Sequence, residues 1–254
     1  MPRRNVTERR QEVYDQTLHA ANCSSLSCLR DLSPSALAAT NKKVLDLPGG
    51  SGGGTLGPGI GIGPFPDGKY LLDAVPVMLQ QGRYHKNIQA VMSGNMAAEG
   101  LGLTPEISTY EGFATLVRRL VPGASNATVQ HIRDMYPYPD SQLQLVANSW
   151  TTDIVFACNA RAVAKAYGNR AQREGAEFPG LNVSHARQFQ LEVLKFTAGK
   201  FKQNNRTDNW PFYAPGAKMV NVTAEGIEQS VDPWARMPNC EIILKTVMDK
   251  RNGA

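Results

Sequence analysis

Hydrophobic residues recur at helical spacing over most of this chain and at strand spacing in only two places. Residues 87–94 form a short apolar run with the length of a buried strand, and residues 218–223 alternate as a strand does. The remaining apolar positions, three and four residues apart, predict helices at 8–21, 34–42, 76–81, 108–120, 126–136, 141–149, 151–167, 184–200 and 240–250. A few strands among many helices predict an α/β protein.

Several of these helices carry signals at their starts. Thr7 is a candidate N-cap for the first helix. Ser33 followed by Pro34 favours a helix start, as does Pro76. Ser108–Glu111 has the capping-box pattern.

A glycine-rich segment interrupts the helical pattern. Positions 48–63 hold nine glycines, which is typical of a loop. The segment matches G-x-S-x-G around Ser51, the pattern of a serine nucleophile elbow. That elbow requires a strand before the serine and a helix after it. Pro48 precedes the match and more glycine follows it, so we do not assign Ser51 as a nucleophile.

The composition is that of an ordinary globular protein. The chain has 254 residues, 42% of them hydrophobic and 19% charged, which suits one large domain or two small ones. The net charge is +5, but no basic cluster is interleaved with aromatic residues, so we expect no nucleic-acid partner. No apolar run reaches the roughly 20 residues of a transmembrane helix.

Sequons and cysteines indicate a secretory route. The four cysteines are an even number, which suits an oxidising compartment. No apolar core follows the basic N-terminus, so a signal peptide is absent from this chain, and one explanation is that the true beginning is missing. The candidate glycosylation sites are Asn5, Asn22, Asn126, Asn182, Asn205 and Asn221.

The histidines, at positions 19, 85, 131 and 185, are scattered, and no Cys/His spacing suits zinc. We therefore predict no metal site and no cofactor. One acidic residue does have an informative setting: Glu99 follows the predicted strand at 87–94 and precedes Gly100. Ligand sites of α/β proteins form at the carboxyl ends of such strands.

Several segments, in order, resemble the type-B carboxylesterase/lipase family of α/β-hydrolases, which includes cholinesterases and fungal lipases. Together they cover most of residues 10–245. The matching pieces are "NCSSLSCLRDLSPSALAATN" (22–41), "GPFPDGKYLLDAVPVMLQQGRYHKNIQAVMSGNMAAEG" (63–100), "DIVFACNARAVAKAYG" (153–168) and "NWPFYAPGAKMVNVTAEGIEQSVDPWARMPNC" (209–240).

The resemblance implies the C-terminal half of an α/β-hydrolase fold with an incomplete sheet. It also implies hydrolysis of small-molecule or lipid esters, with Glu99 as the acid of a Ser-Glu-His triad. The implied disulfides are Cys23–Cys28 and Cys158–Cys240. Residues 1–254 would be one partial domain, divided into a helical part with the small disulfide loop (1–47), the glycine-rich loop (48–63), the acid-bearing strand with helices (64–167) and the C-terminal region (168–254).

Two parts of the triad are not found. In family order the serine elbow lies upstream of any segment present here. The histidine should follow Glu99 in a His-Gly motif, but 166–189 contains none, and the preceding strand looks broken at 172–175. His185 is the nearby candidate, with Ala186 where glycine belongs. We expect neither nucleophile nor base.

Three interpretations stay open. The chain is an incomplete carboxylesterase, through a truncated gene model or gene decay. Alternatively it is a non-catalytic, hydrolase-like binding or adhesion module, which requires that it fold alone. A third possibility is weak esterase activity through His185 and Ser51.

Overall fold

A computed structural model describes residues 6–45, 66–121, 123–176, 183–199, 210–249 and 251. Ser51, the glycine-rich segment 48–63 and three sequons (Asn5, Asn182 and Asn205) lie outside these residues. The strands are β1 (Val91–Met96), β2 (Ala171–Ala176), β3 (Lys218–Val222) and β4 (Ile227–Val231). The α-helices are α1 (Val6–Ala21), α2 (Leu26–Arg30), α3 (Pro34–Leu45), α4 (Val75–Gln80), α5 (Tyr110–Leu120), α6 (Asn126–Asp134), α7 (Leu143–Thr151), α8 (Cys158–Tyr167), α9 (Val183–Thr197), α10 (Pro233–Arg236) and α11 (Asn239–Met248).

The chain forms two compact units, and each is assembled from separate stretches of sequence. The first comprises 1–74, 102–147 and 245–254, and the second comprises 75–101 and 148–244. The described part of the first unit is helical: α1 packs on α3, and α5 packs on α6. The second unit contains the sheet and the residues that surround it.

The sheet has the strand order β1-β2-β3-β4, with β1, β2 and β3 parallel and β4 antiparallel to β3. The register pairs Met96 with Ala176 and Ala176 with Val222. The carboxyl ends of the three parallel strands therefore lie at one edge. α8 covers β1 and β2, and the Ser93 hydroxyl donates to the Ala160 carbonyl of that helix at 3.1 Å.

The predicted N-terminal signals of two helices are wrong in detail. α1 begins at Val6, so Thr7 lies inside it. At α5 the N-cap is Thr109, whose hydroxyl accepts from the Gly112 N–H at 3.1 Å. Because the helix begins two residues after Ser108, Glu111 is not in register to close a capping box with it.

The predicted break between helices 141–149 and 151–167 is also wrong. α7 continues directly into a π-helical stretch, Thr152–Ala157, and then into α8. Trp150 lies inside α7 and is fully buried. A π-helical turn inserts an extra residue without interrupting the helix. The insertion shifts the spacing of the apolar residues, and in the sequence this shift resembles the end of one helix and the start of the next.

The first strand begins later than predicted, at Val91 rather than residue 87. Residues 87–90 pair with no strand among the described residues. One guanidinium nitrogen of Arg170 instead donates to the carbonyls of Lys86 and Ile88, the latter at 3.0 Å. A side chain from the segment before β2 thus satisfies backbone that would otherwise need a neighbouring strand.

The expectation of a broken strand at 172–175 is wrong, because these residues form most of β2. The side chains of Gln172 and Arg173 find partners outside the strand. Gln172 donates to the Trp210 carbonyl at 3.2 Å. Arg173 is fully buried and donates to the carboxylate of Asp232 at 3.1 Å, itself fully buried. A buried strand can carry such residues only if each is paired.

The Asp232 carboxylate also has further donors. The Tyr213 hydroxyl donates to it at 3.0 Å. The backbone N–H of Trp234 also donates to it, at 3.0 Å, so Asp232 is the N-cap of α10. Burial and the nearby Asp232 carboxylate raise the pKa of Tyr213 to about 12. The phenol therefore keeps its proton at neutral pH and remains a donor.

Both disulfides implied by the family resemblance are present. Cys23–Cys28 joins the end of α1 to α2, and Cys158–Cys240 joins α8 to α11. Beside the second, the buried Asp153 accepts from the Trp234 indole N–H at 2.6 Å and from the Asn239 amide at 3.1 Å. This cluster holds the C-terminal helices to the helix that covers β1.

We predict that Asp232→Asn destabilises the second unit by about 3–5 kcal/mol, because it leaves the Arg173 charge buried and unpaired. The amide keeps the size of the carboxylate and an oxygen that can cap α10. Urea unfolding followed by tryptophan fluorescence measures the loss. The double variant Arg173→Met/Asp232→Asn should be more stable than Asp232→Asn; a less stable double variant would contradict the assignment.

Candidate functional site

Glu99 lies in the turn at 97–103, directly after β1. The sequence therefore placed it correctly at the carboxyl end of a parallel strand. Its side chain is half-buried. One carboxylate oxygen, Oε2, is buried without a hydrogen-bond partner among the described residues.

The next residue fixes the turn. The buried Gly100 N–H donates to the Thr152 hydroxyl at 2.8 Å, and that hydroxyl donates to the Asn148 carbonyl at 2.9 Å. A Cβ atom at Gly100 would lie 2.0 Å from the same carbonyl oxygen. Only glycine allows this approach, so the turn carrying Glu99 is held tightly against the start of the π-helical stretch.

Burial raises the pKa of Glu99 above its ordinary value. The hydrogen bond from Met96 and the positive charge of Arg173 oppose that rise, because both favour the ionised carboxylate. The site therefore combines an apolar setting with one nearby buried cation.

His185 lies at the same edge of the sheet but does not meet Glu99. It is half-buried near the start of α9, and its Nε2 is 3.9 Å from the position of a Cβ at Gly226, in the turn after β3. Glu99 follows β1, so β2 lies between them, and two strand spacings amount to about 10 Å. Among the described residues, neither His185 Nδ1 nor Glu99 Oε2 has a hydrogen-bond partner, and both atoms are buried.

The sequence did not single out a second carboxylate near this edge, Glu174 of β2. Its Cγ lies 2.2 Å from where a Cβ at Gly94 would be, so the glycine of β1 makes room for the side chain. Its Oε2 is buried and has no hydrogen-bond partner within the described part of the chain. Burial raises the pKa of Glu174 against the opposing charge of Arg173. The available signal was a glycine within a predicted strand, which often marks such a close approach.

The other predicted site residues are dispersed. Asn22 and Asn126 are exposed, whereas Asn221 lies within β3, paired on both sides. In the part of the chain that the structure describes, no group of three histidine, cysteine or acidic side chains could hold a metal ion. No described helix is long and apolar enough to cross a membrane.

No protein-family model matches the chain. A secreted lipase of Arthroderma benhamiae is 23% identical over 156 residues, which are 59% of this chain and 28% of the lipase. Aspergillus niger EstA superposes with a TM-score of 0.71 at 13% identity, covering all of this chain and 58% of EstA. A PNB esterase gives 0.62 at 17% identity, and a thermophilic PNB esterase gives 0.58 at 15%; each match covers 93% of this chain and 54% of the esterase.

The chain thus spans little more than half the length of these esterases. Their structures confirm the predicted α/β fold, a part of an α/β-hydrolase. The resemblance to the type-B carboxylesterase/lipase family is confirmed in fold by the esterases and in sequence by the secreted lipase.

We predict that Glu99→Gln stabilises the protein at neutral pH and that the gain disappears in acid. A carboxyl whose pKa is raised on folding contributes its full stability below the unfolded value, near 4.5, and loses it as pH rises through the folded value. Glutamine lacks that loss. Thermal unfolding of both proteins between pH 4 and pH 8 measures the difference.

Glu106→Gln, an exposed loop position, controls for removal of one acidic charge. If Glu99→Gln were less stable than the parent at pH 8, the result would contradict the conclusion that burial of the ionised Glu99 carboxylate destabilises the protein.

Proposed function

We propose that this chain is the C-terminal part of a carboxylic ester hydrolase of the type-B carboxylesterase/lipase family and supplies the acid of its catalytic triad. The observation that carries the proposal is Glu99 itself. It follows a parallel strand, its turn is held by Thr152, and one buried carboxylate oxygen has no hydrogen-bond partner among the residues that the structure describes. A triad acid requires such a carboxylate, fixed in place and able to accept one more hydrogen bond.

In the mechanism this geometry supports, Glu99 accepts the Nδ1–H of an imidazole. That bond selects the ring tautomer and stabilises the imidazolium that forms when the ring takes the proton of a serine. The serine oxygen attacks the ester carbonyl, the alcohol leaves with the proton, and water then releases the acid from the acyl-enzyme. Small-molecule or lipid esters are the substrates proposed.

The chain alone is proposed to be inactive. No hydrogen bond joins Glu99 to a serine or histidine among the residues described, and the only nearby histidine is separated from it by the width of a strand. An acid that orients no imidazole contributes nothing to ester cleavage.

We also propose that the protein follows the secretory route. Its two disulfides suit an oxidising compartment, and the related Arthroderma protein is a secreted lipase. The exposed sequons at Asn22 and Asn126 are the described positions best suited to carry glycans.

The same separation of Glu99 from a base favours one second candidate, a non-catalytic, hydrolase-like binding or adhesion module. That function needs neither serine nor histidine. It does need residues 1–254 to fold as a stable monomer, although β1 is an edge strand of the described sheet.

A chimera tests the acid assignment. Residues 87–106 of this chain replace the structurally equivalent segment of the PNB esterase, and hydrolysis of p-nitrophenyl acetate is measured. We expect an active chimera in which Glu99→Gln lowers kcat by about 10²–10⁴-fold, because an amide does not stabilise the imidazolium. Glu106→Gln, in the same segment, should change little.

Equal activity of the Glu99→Gln chimera and its parent would refute the proposal. Purified residues 1–254 provide the companion assay, in which we expect the parent and His185→Ala to match the uncatalysed rate. If they do, and the chain unfolds cooperatively as a monomer, the binding-module alternative gains support.

A further inference from the structure

We propose that Arg173 and Asn95 are positioning residues for Glu99: the guanidinium on β2 fixes the Asn95 amide, which fixes the end of β1 where the turn carrying Glu99 starts. The proposal deepens the proposed function, since it concerns the same acid. It assigns a role to polar side chains in the interior of the sheet that the triad mechanism does not use.

Arg173 is the fixed point of the arrangement. It is fully buried between Asp232, which accepts from Nε at 3.1 Å, and the Trp234 ring, 5.7 Å from the guanidinium carbon. One of its terminal nitrogens donates to its own strand, at the Glu174 carbonyl, at 3.2 Å. The planar fork is therefore held on several sides, and its remaining nitrogen points in a set direction.

That remaining nitrogen reaches the neighbouring strand. Arg173 Nη2 donates to Asn95 Oδ1, in a short contact between two buried side chains. Asn95 cannot rotate without leaving a charged donor unpaired inside the protein, which is costly. The amide orientation is thus determined by Arg173.

The other side of the amide acts on the end of β1. Asn95 Nδ2 donates to the Met96 carbonyl at 2.7 Å. The turn that carries Glu99 begins directly after this residue. A continuous series of hydrogen bonds therefore runs from Asp232 through Arg173 and Asn95 to the Met96 carbonyl, at the start of the turn that carries the acid.

This series has two effects on Glu99. It holds the Met96 carbonyl, and with it the end of β1 where the turn carrying Glu99 starts. It also keeps the positive charge of Arg173 at a fixed distance, where it favours the ionised acid against the cost of burial. The other ionisable groups that act around Arg173 are Asp232, Glu174 and Tyr213.

The test compares Asn95→Ala with Ser93→Ala in the full chain. Both changes remove side-chain hydrogen bonds from the same face of β1: Ser93 loses its bond to the Ala160 carbonyl, whereas Asn95 loses its bonds to Arg173 and to the Met96 carbonyl. Carbon-13 NMR follows the glutamate carboxyls against pH, and the Glu99 signal is assigned by its loss in Glu99→Gln. Hydrogen exchange of the Met96 amide is measured on the same samples.

We expect Asn95→Ala to move the Glu99 titration midpoint upward and to speed Met96 exchange about tenfold, while Ser93→Ala changes neither. Folded Asn95→Ala with both readouts unchanged would overturn the proposal. So would equal changes in the two variants, since these would indicate general loosening of the strand.

Asn95→Ser serves if Asn95→Ala does not fold. It keeps a polar group at the position but lacks the amide N–H that donates to the Met96 carbonyl, so the same upward shift is expected and its absence counts against the proposal. No readout depends on turnover. An inactive chimera would therefore refute the esterase assignment without affecting this result.

Discussion

The buried ion pair between Arg173 and Asp232 is the interaction on which the sheet and the candidate site both depend. Two fully buried charges are tolerated only when their hydrogen bonds are nearly all satisfied. Here Tyr213, the N-terminus of α10 and Asn95 complete the set. The pair therefore connects β2 to the loop before β3, to α10 and to β1. The second unit is thus organised around a buried polar cluster rather than a purely apolar core.

The position of Glu99 follows from this centre and from one close backbone approach. On one side the acid is attached to the end of β1, whose Asn95 is bound to Arg173. On the other side Gly100 rests against the Asn148 carbonyl and binds Thr152. A short turn held at both ends keeps its side chain in a narrow range of positions, which a catalytic acid or any other fixed carboxylate requires.

Glu99 and Glu174 show the cost of such a site. Each has a buried oxygen for which the described residues supply no hydrogen-bond partner, and burial raises the pKa of both carboxyls. Stability alone would favour amides or apolar residues at these positions. Groups that oppose stability in this way are concentrated at functional sites. Structural ion-pair networks shift pKa values in a similar way. The assignment of Glu99 as a site residue therefore depends on its position after β1 more than on its raised pKa.

The sequence by itself determined the α/β class, the family resemblance, most helices and the place of Glu99 after a strand, because periodic apolar spacing and local chain signals are properties of neighbouring residues. It did not reveal β2, where Gln172 and Arg173 look incompatible with a buried strand. Only the tertiary structure shows their partners, Trp210 and Asp232, which lie tens of residues away. The polar network likewise depends on the tertiary structure. A buried charge is tolerated only when it has a partner, and here the partners are distant in the sequence.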